Sequence, residues 1–244
     1  MKAIILSAGQ GKRLLPLTQD RPKCTIPLHG RSILEWQIDE LIKLGIRPIH
    51  VVVGFEASTV EQVLATHSSR HAIHTLYNPF YALADNLISC WTARNEMTED
   101  FILLNGDTVF ETAILKRVLQ APAAPITLVT DEKPQYDADD MKVIVRGTQL
   151  LRIGKKLALE KVNGESIGMI RFQDEGPRMF CSTIEQRIRQ PESLKQWYLS
   201  LIDELATQGH VSTVSINGLT WAEIDNPEDL HYAETRLKPH IPKP

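Results

Sequence analysis

A turn near the start of the chain combines two glycines with cationic side chains. An apolar run, Ala3–Leu6, leads into residues 7–14, SAGQGKRL, which include Arg13, and Lys23 follows ten residues later. Glycines in such a turn let backbone N–H groups approach an anion, so the segment predicts a phosphate cradle, with an ordinary strand-to-helix turn as the alternative. Arg13 and Lys23 would supply the positive charge that a triphosphate needs, unless they are solvated surface residues.

Two better-known phosphate-binding loops do not fit this spacing. A dinucleotide-binding turn needs a third glycine where Leu14 stands, and a Walker loop needs Gly-Lys-Ser/Thr after four spacer residues. The sequence meets neither requirement. A triphosphate held by backbone amides and paired cations is therefore the ligand that the segment favours.

The elements that must position this turn alternate between strand and helix. Strand-length apolar runs and helical patterns alternate at Ala3–Leu6, Ile33–Leu44, Ile49–Val53, Ser58–Ala65, His74–Tyr77 and Phe101–Leu104. Such alternation predicts an α/β fold with a doubly wound, mostly parallel, Rossmann-like sheet. Its ligand crevice should lie beyond the carboxyl ends of the strands.

The middle of the chain has a different pattern. Strand-like runs joined by short turns occur at Ile126–Thr130, Met141–Val145, Leu150–Ile153 and Ser166–Phe172. They predict a small mixed β region over the active-site crevice. The remaining elements are expected to be helix, strand, strand and helix, at Leu194–Thr207, Val211–Ile216, Trp221–Ile224 and Pro227–Leu237.

Composition narrows the class of protein. The 244 residues contain no Gly/Ser/Pro-rich linker, so we expect a single domain over residues 1–244. A formal net charge of -3 argues against a nucleic acid partner. Three scattered cysteines indicate reduced thiols, and the first apolar run is too short for a signal peptide or a membrane span. We expect a cytoplasmic protein with no membrane partner, and a homo-oligomer remains open.

Longer motifs resemble a known family. Residues 6–18 (LSAGQGKRLLPLT), residues 21–27 (RPKCTIP), Gly30 and Leu34 resemble the start of the sugar-1-phosphate nucleotidyltransferase superfamily. Asn105-Gly106-Asp107 and residues 223–230 (EIDNPEDL) are similar to two acidic motifs of the same family. Four weaker segments are similar to the choline-phosphate and phosphonate cytidylyltransferases, at residues 78–89, 140–143, 153–156 and 164–168.

The resemblance implies a magnesium site. In the family, two aspartates at these places hold one Mg²⁺ against the triphosphate and the acceptor, and they correspond to Asp107 and Asp225. Carboxylate oxygens are the ligands that Mg²⁺ prefers. For Asp225, just before Asn226-Pro227, the alternative is a helix N-cap. Arg13 and Lys23 would then act on the phosphates as catalytic cations.

Residues of the glycine turn and of neighbouring strand ends are expected to bind the nucleotide. They are Leu6, Ala8, Gly9, Gln10, Gly11, Lys12, Arg13, Lys23, Asn86, Ser89 and Gly106. Asn86 and Ser89 would contact the edge of a pyrimidine, unless Asn86 is simply a turn residue. The choice of CTP as donor rests on the resemblance alone.

The acceptor implied by the resemblance is a small phosphate or phosphonate with a cationic amine, phosphocholine or 2-aminoethylphosphonate. Lys142 and Lys155 are candidate catalytic cations for the acceptor phosphate, with exposed strand lysines as the alternative. Carboxylates of Asp140 and Glu165, or the aromatic face of Tyr136, would hold the amine.

Two other functions remain open. The first is a sugar-1-phosphate nucleotidyltransferase that uses UTP, dTTP or GTP, and the second is a non-catalytic nucleotide-binding module. Sugar-specific members carry a Glu-Lys-Pro segment, whereas Glu160-Lys161 is followed here by Val162, which weighs against a sugar. The presence of both cations and both aspartates weighs against a non-catalytic module.

Overall fold

A computed structural model describes residues 1–216 and 218–237. Its strands are β1 (Lys2–Ser7), β2 (Pro27–Leu28), β3 (Arg31–Ser32), β4 (Ile49–Val53), β5 (Ile73–Tyr77), β6 (Phe101–Asn105), β7 (Thr108–Phe110), β8 (Ile126–Asp131), β9 (Lys142–Arg146), β10 (Gln149–Gly154), β11 (Gly164–Phe172), β12 (Val211–Ser215) and β13 (Trp221–Glu223). Its α-helices are α1 (Ile33–Lys43), α2 (Ala57–Thr66), α3 (Asn86–Ala93), α4 (Thr112–Gln120), α5 (Gly176–Arg187), α6 (Leu199–Thr207) and α7 (Pro227–Arg236).

A nine-stranded sheet runs through the fold in the order β5-β4-β1-β6-β11-β8-β12-β10-β9. The first four strands are parallel, as predicted, and their carboxyl ends share one edge. The expectation of a mostly parallel sheet is nevertheless wrong, because β11 is antiparallel to both β6 and β8, and β10 is antiparallel to β9 and β12. The strands expected to form a separate β region over the crevice instead join the main sheet.

A short connection explains one of the antiparallel pairs, β9 with β10. Strand β9 ends at Arg146 and β10 begins at Gln149, with Gly147 in the left-handed region at φ 60°. A parallel crossover needs a dozen or more residues, so a connection of this length permits only an antiparallel pair. The sequence pattern located these strands but did not establish their direction.

Helices cover both faces of the sheet. Alternate residues of β1 face opposite ways: Ile4 packs in one buried cluster with α3, α5 and α6, while Ala3 and Ile5 pack in another with α1, α2 and α4. A third cluster joins Leu14 of the glycine turn to β7, β13 and α7. This last cluster fixes the first turn of the chain against its final helix, beside the carboxyl edge of the parallel strands.

The helix expected over Leu194–Thr207 begins later, at Leu199. Residues 191–195 form a short 3-10 helix, and Gln196 is extended. The backbone N–H groups of Asp85 and Leu87 donate to the carbonyls of Leu194 and Gln196, which holds this stretch against the start of α3. Within the described ranges, no helix is long and apolar enough to cross a membrane.

Candidate active site

Strands β1 and β6 bring the glycine turn beside Asp107. The Gly106 N–H donates to the carbonyl of Leu6 at 3.0 Å, just beyond the last register pair of the two strands. A Cβ atom on Gly106 would lie 2.4 Å from Ser7 Oγ and 2.5 Å from the Leu6 carbonyl oxygen. Because backbone cannot easily move away from such a contact, this position requires glycine.

A two-stranded ladder then brings the second aspartate to the first. Strand β13 pairs with β7, so that Glu223 lies opposite Thr108. The Ile224 N–H donates to the carbonyl of Asp107 at 3.0 Å. The buried side-chain amide of Gln37 donates to the carbonyl of Thr108 at 2.7 Å and stabilises the backbone that follows Asp107. Asp107 and Asp225 thus occupy the ends of adjacent strands.

Asp225 is not the cap of the last helix. The N-cap of α7 is Asn226, whose side chain accepts from the Asp229 N–H. The carboxylate of Asp229 accepts in turn from the backbone N–H groups of Asn226 and Asp225, at 3.0 and 2.8 Å. The helix start is therefore satisfied without the Asp225 carboxylate, whose oxygens face the crevice.

The two cations predicted from the glycine turn contact the aspartates directly. Lys23 Nζ lies 2.8 Å from Asp107 Oδ2 and 2.5 Å from Asp225 Oδ1. Arg13 lies 2.5 Å from Asp225 Oδ2 and 3.4 Å from Asp139. Burial opposes the positive charge of Lys23, but the two aspartates more than offset that cost, so the pKa of Lys23 is raised above its ordinary value.

Three carboxylates at this point could hold a divalent cation. One ligand oxygen from each of Asp107, Glu223 and Asp225 lies within 4.8 Å of the others. Asp107 Oδ1 is buried and has no hydrogen-bond partner among the described residues, which fits an oxygen reserved for an ion. Burial, together with the charges of Asp107 and Asp225, raises the pKa of Glu223 to about 8. The donor set is all oxygen, as Mg²⁺ requires.

A cavity of about 430 Å³ opens over the glycine turn. Leu6, Gly9, Gly11, Lys12 and Asn86 are among its lining residues, together with Ser7, Arg13, Lys23, Cys24, Asp85, Gly106, Asp107 and Asp225. Its volume is in the range of small-ligand sites. Backbone, three cations and two of the candidate metal ligands, Asp107 and Asp225, therefore surround one space.

A second cavity of about 450 Å³ adjoins the first and shares Arg13 and Asp225 with it. Eight of its lining residues carry a carboxyl group: Asp131, Asp137, Asp139, Asp140, Glu165, Glu223, Asp225 and Asp229. Two lining residues are cations, Arg13 and Lys133. The other lining residues are Met141, Ser166, Trp221, Ala222, Asn226 and Tyr232. We call this space the acidic cavity.

Lys133 lies among the carboxylates of the acidic cavity. Its Nζ is 2.7 Å from Asp140 Oδ1 and 3.1 Å from Glu165 Oε2. Burial raises the pKa of Glu165 to about 7; Lys133 lowers it, whereas Asp140 and Asp131 raise it further. The Lys133 ammonium thus contacts two carboxyl groups, and the carboxyl groups that line the acidic cavity outnumber its two cations.

Comparison with known proteins identifies the fold and the family together. A family model described as the MobA-like NTP transferase domain matches residues 3–207. The chain belongs to that family. It carries a nucleotidyltransferase domain, which confirms the resemblance drawn from its motifs.

Two of the relatives have a cytidine nucleotide in their names. A CMP-5'-(3-aminopropyl)phosphonate synthase of Streptomyces rubellomurinus is 29% identical over 98% of the chain, which spans only 39% of that protein's length. A CTP:phosphoglutamine cytidylyltransferase of Campylobacter jejuni is 26% identical, and the match covers 94% of this chain and 98% of that one. A uridylyltransferase for glucose 1-phosphate also matches.

One solved structure has the same fold at low sequence identity. The CTP:phosphocholine cytidylyltransferase of Streptococcus pneumoniae superposes with a TM-score of 0.79 at 20% identity, over 97% of this chain and 99% of that one. The likeness extends across the whole mixed sheet, including the antiparallel part.

Three residues predicted to bind nucleotide do not line the cavity over the glycine turn. The Ser89 hydroxyl is buried and accepts from Asn78 at 3.2 Å, and Ala8 is buried. Gln10 donates to the carbonyl of Thr18 at 3.2 Å, inside the turn itself. Asn86 does line the cavity, although its Oδ1 accepts from the Tyr198 N–H.

Three residues predicted to contact the acceptor also lie outside the described lining of the acidic cavity. Lys142 is buried, and its ammonium donates to the carbonyls of Asp140 and Lys155. Lys155 Nζ lies 4.7 Å from the ring centroid of Trp197. Tyr136 stands beside the cavity, with Lys133 Nζ 5.9 Å from its ring centroid. Asp140 and Glu165 do line the cavity.

Two residues of the site were missed by the sequence reasoning. Glu223 lies two positions before Asp225 across a strand end, a period-two spacing that puts both on one face and could have indicated a third ligand. Lys133 stands in a Glu-Lys-Pro triplet at residues 132–134. Because that triplet is present, its absence after Glu160 carries no weight against a sugar substrate.

Proposed function

We propose that this chain is a single-domain, magnesium-dependent cytidylyltransferase that transfers CMP from CTP to a small phosphate or phosphonate bearing a primary amine, and releases pyrophosphate. The observation that carries the proposal is the acidic cavity beside the triphosphate site. Its lining has eight carboxylates and two cations, and it shares Arg13 and Asp225 with the cavity over the glycine turn.

The charge of the acidic cavity favours a cationic head group. A primary ammonium keeps up to three hydrogen-bond donors, which suit carboxylates such as Asp140 and Glu165. A trimethylated head group has no donor and depends on aromatic faces. The cavity offers Trp221 and Tyr232, and the Trp221 indole already donates to Asp131 at 2.8 Å. The arrangement therefore favours an aminoalkyl phosphonate or phosphate over phosphocholine.

In the reaction, an acceptor oxygen forms a bond to the α-phosphorus of CTP as the bond to the β-phosphate oxygen breaks. The acceptor oxygen is already anionic near neutral pH, so no side chain must remove a proton. Lys23 and the glycine turn would bind the triphosphate and offset charge on the departing pyrophosphate. Arg13, which lines both cavities, would help to bind the triphosphate and keep its α-phosphate facing the acceptor.

Asp107 and Asp225, with Glu223 beside them, would hold the magnesium ion. When bound, the ion supplies positive charge that draws the phosphate oxygens of donor and acceptor together. The buried Asp107 Oδ1, with no partner among the described residues, supports this role. The selection of CTP rests on the relatives named above rather than on base contacts.

A sugar-1-phosphate nucleotidyltransferase is the second candidate, because a uridylyltransferase for glucose 1-phosphate is among the relatives. Sugar hydroxyls can donate to carboxylates, but they carry no positive charge to balance the acidic cavity. A non-catalytic module is disfavoured, because the Lys23 ammonium lies within hydrogen-bonding distance of both Asp107 and Asp225.

Pyrophosphate release, measured with pyrophosphatase and malachite green, tests the proposal. CTP, UTP, dTTP and GTP would each be combined with 3-aminopropylphosphonate, 2-aminoethylphosphonate, phosphoethanolamine, phosphocholine and glucose 1-phosphate. We expect CTP with a primary-amine acceptor to give the highest kcat/KM. Propylphosphonate, which lacks only the amine, is the matched acceptor control and should be poor. A higher kcat/KM for glucose 1-phosphate than for every amine would overturn the proposal.

A further inference from the structure

We propose that the Lys23 ammonium occupies the metal-binding carboxylates in the nucleotide-free enzyme, so that a metal ion binds there only weakly until a triphosphate draws the ammonium away. Lys23 then acts as a positioning residue that makes metal binding depend on nucleotide. The inference rests on the metal site proposed above for Asp107 and Asp225, and it holds for any donor base or acceptor.

Lys23 already holds the two carboxylates that a metal ion would need. Its Nζ lies 2.8 Å from Asp107 Oδ2 and 2.5 Å from Asp225 Oδ1, and its side chain is only 11% exposed. A magnesium ion held by the same two carboxylates, through Asp107 Oδ2 or through the Oδ1 that has no partner among the described residues, would lie within a few ångströms of this ammonium. Like charges that are so close together repel strongly. Metal binding by Asp107 and Asp225 would therefore compete with the two Lys23 contacts.

The surroundings of Lys23 determine where its ammonium goes. The stem packs on Gly11, where an added Cβ would lie 2.7 Å from Lys23 Cβ. The root of the side chain is thus fixed, while its tip faces the cavity lined by Gly9 and Gly11. A triphosphate cradled by that turn offers anionic oxygens within reach of the same tip. The ammonium can exchange two carboxylates for phosphate oxygens without losing a charged partner.

This exchange predicts coupled binding. Without a triphosphate, a metal ion must break the two charged hydrogen bonds that hold the Lys23 ammonium between Asp107 and Asp225. With a triphosphate, the ammonium gains a partner and the carboxylates become free. The coupling is reciprocal, so the metal ion must favour the triphosphate by the same factor. In the absence of metal, Lys23 also keeps Asp107 and Asp225 from repelling each other, so the ligand set stays assembled.

Metal affinity of the nucleotide-free protein is the direct test. Binding of Mn²⁺ would be measured from its free EPR signal for wild type, Lys23→Gln and Lys12→Gln. We expect Lys23→Gln to bind Mn²⁺ on the order of tenfold to a hundredfold more tightly than wild type, the usual scale of a coupling between sites. Lys12 is the matched control, because it lines the same cavity but is exposed and contacts neither aspartate. Lys12→Gln should leave the affinity about unchanged.

A measurement on the wild type keeps the test valid if Lys23→Gln does not fold. In protein labelled with ¹⁵N at lysine Nζ, the Lys23 ammonium should be protected from solvent exchange, and its resonance is identified by its loss in Lys23→Arg. We expect saturating Mg²⁺ without nucleotide to abolish that protection. Protection that persists with Mg²⁺ bound would overturn the exchange.

The remaining outcomes separate this inference from the proposed function. Equal Mn²⁺ affinity in wild type and Lys23→Gln, or equal tightening in Lys12→Gln, would overturn the exchange while leaving the metal site intact. Failure of all three proteins to bind Mn²⁺ would overturn both. If none of the proposed acceptors supports pyrophosphate release, the result of the Mn²⁺ binding experiment is unchanged.

Discussion

Glu165→Gln is the substitution whose effect can be worked furthest from the structure. Glu165 lines the acidic cavity with a side chain that is 8% exposed, and Lys133 lies 3.1 Å from its Oε2. Burial, opposed by Lys133 and reinforced by Asp140 and Asp131, raises the pKa of Glu165 from 4.5 to about 7. The ionised carboxylate is therefore less stable in the folded protein than in the unfolded chain.

The displaced pKa of Glu165 has a calculable cost to stability. A shift from 4.5 to about 7 corresponds, at about 1.4 kcal/mol per pH unit, to about 3 kcal/mol. For an acid with a raised folded-state pKa, this cost is absent below pH 4.5, where both states are protonated. It grows as the pH rises and is fully present above pH 7. Glutamine has the same shape but no charge, so the Glu165→Gln variant does not have this cost to its stability.

Urea unfolding of both proteins at pH 5 and pH 8 measures the effect. The stability of Glu165→Gln relative to wild type should rise by about 2 to 3 kcal/mol between these two pH values. The variant also loses the Lys133 contact, but a loss of stability that is equal at both pH values cancels when the two are compared. The same relative stability at both pH values would refute the reasoning, because the carboxylate would then ionise equally easily in the folded and unfolded states.

The same substitution should impair the proposed reaction. If Glu165 holds the acceptor ammonium, Glu165→Gln should raise the KM for 3-aminopropylphosphonate by about tenfold, the usual cost of losing one charged hydrogen bond. The KM for propylphosphonate should not change. A variant that is more stable but less selective for the amine is the result expected if Glu165 binds the ligand and does not stabilise the fold.

Three further outcomes are expected. Asp107→Asn and Asp225→Asn should each remove most activity with unchanged circular dichroism, because each removes an anionic metal ligand; near wild-type turnover at saturating Mg²⁺ would exclude that residue. Lys23→Ala should lower kcat/KM by about 10² to 10³, whereas Arg13→Ala should mainly weaken triphosphate binding, as kinetics over a CTP range would distinguish. Gly106→Ala should lower the urea midpoint, since its Cβ would meet backbone at 2.5 Å; an unchanged midpoint would mean that the strands can separate.

Much of the site could be predicted, because its parts lie in short motifs. The glycine turn, Arg13 and Lys23 were predicted from local sequence and the two aspartates from the family resemblance, and the structure brings the four side chains together. Each follows directly on a strand end or lies in a turn whose backbone demands are local. The strands of the parallel half were likewise predicted, since continuous apolar runs mark strands that are buried on both faces.

The acceptor side could not be predicted in the same way. Lys133 follows β8 and Lys142 begins β9, yet Lys142 is buried against carbonyl oxygens and Lys133 lies among carboxylates in the acidic cavity. That difference depends on which way each side chain points after β9, β10 and β11 have paired. Local sequence does not predict that pairing, because the paired antiparallel strands are far apart along the chain.

By itself, the sequence determined which chemical groups are available and which backbone turns can hold an anion, because glycine, charge and strand-length apolar runs act over a few residues. The tertiary structure alone decided that Lys23 stands between Asp107 and Asp225, 84 and 202 residues away along the chain. It also decided that Asp225 faces the crevice while Asn226 caps the helix. The physical reason is that Coulomb forces between these groups depend on distances of a few ångströms, and those distances are set by sheet order and strand register.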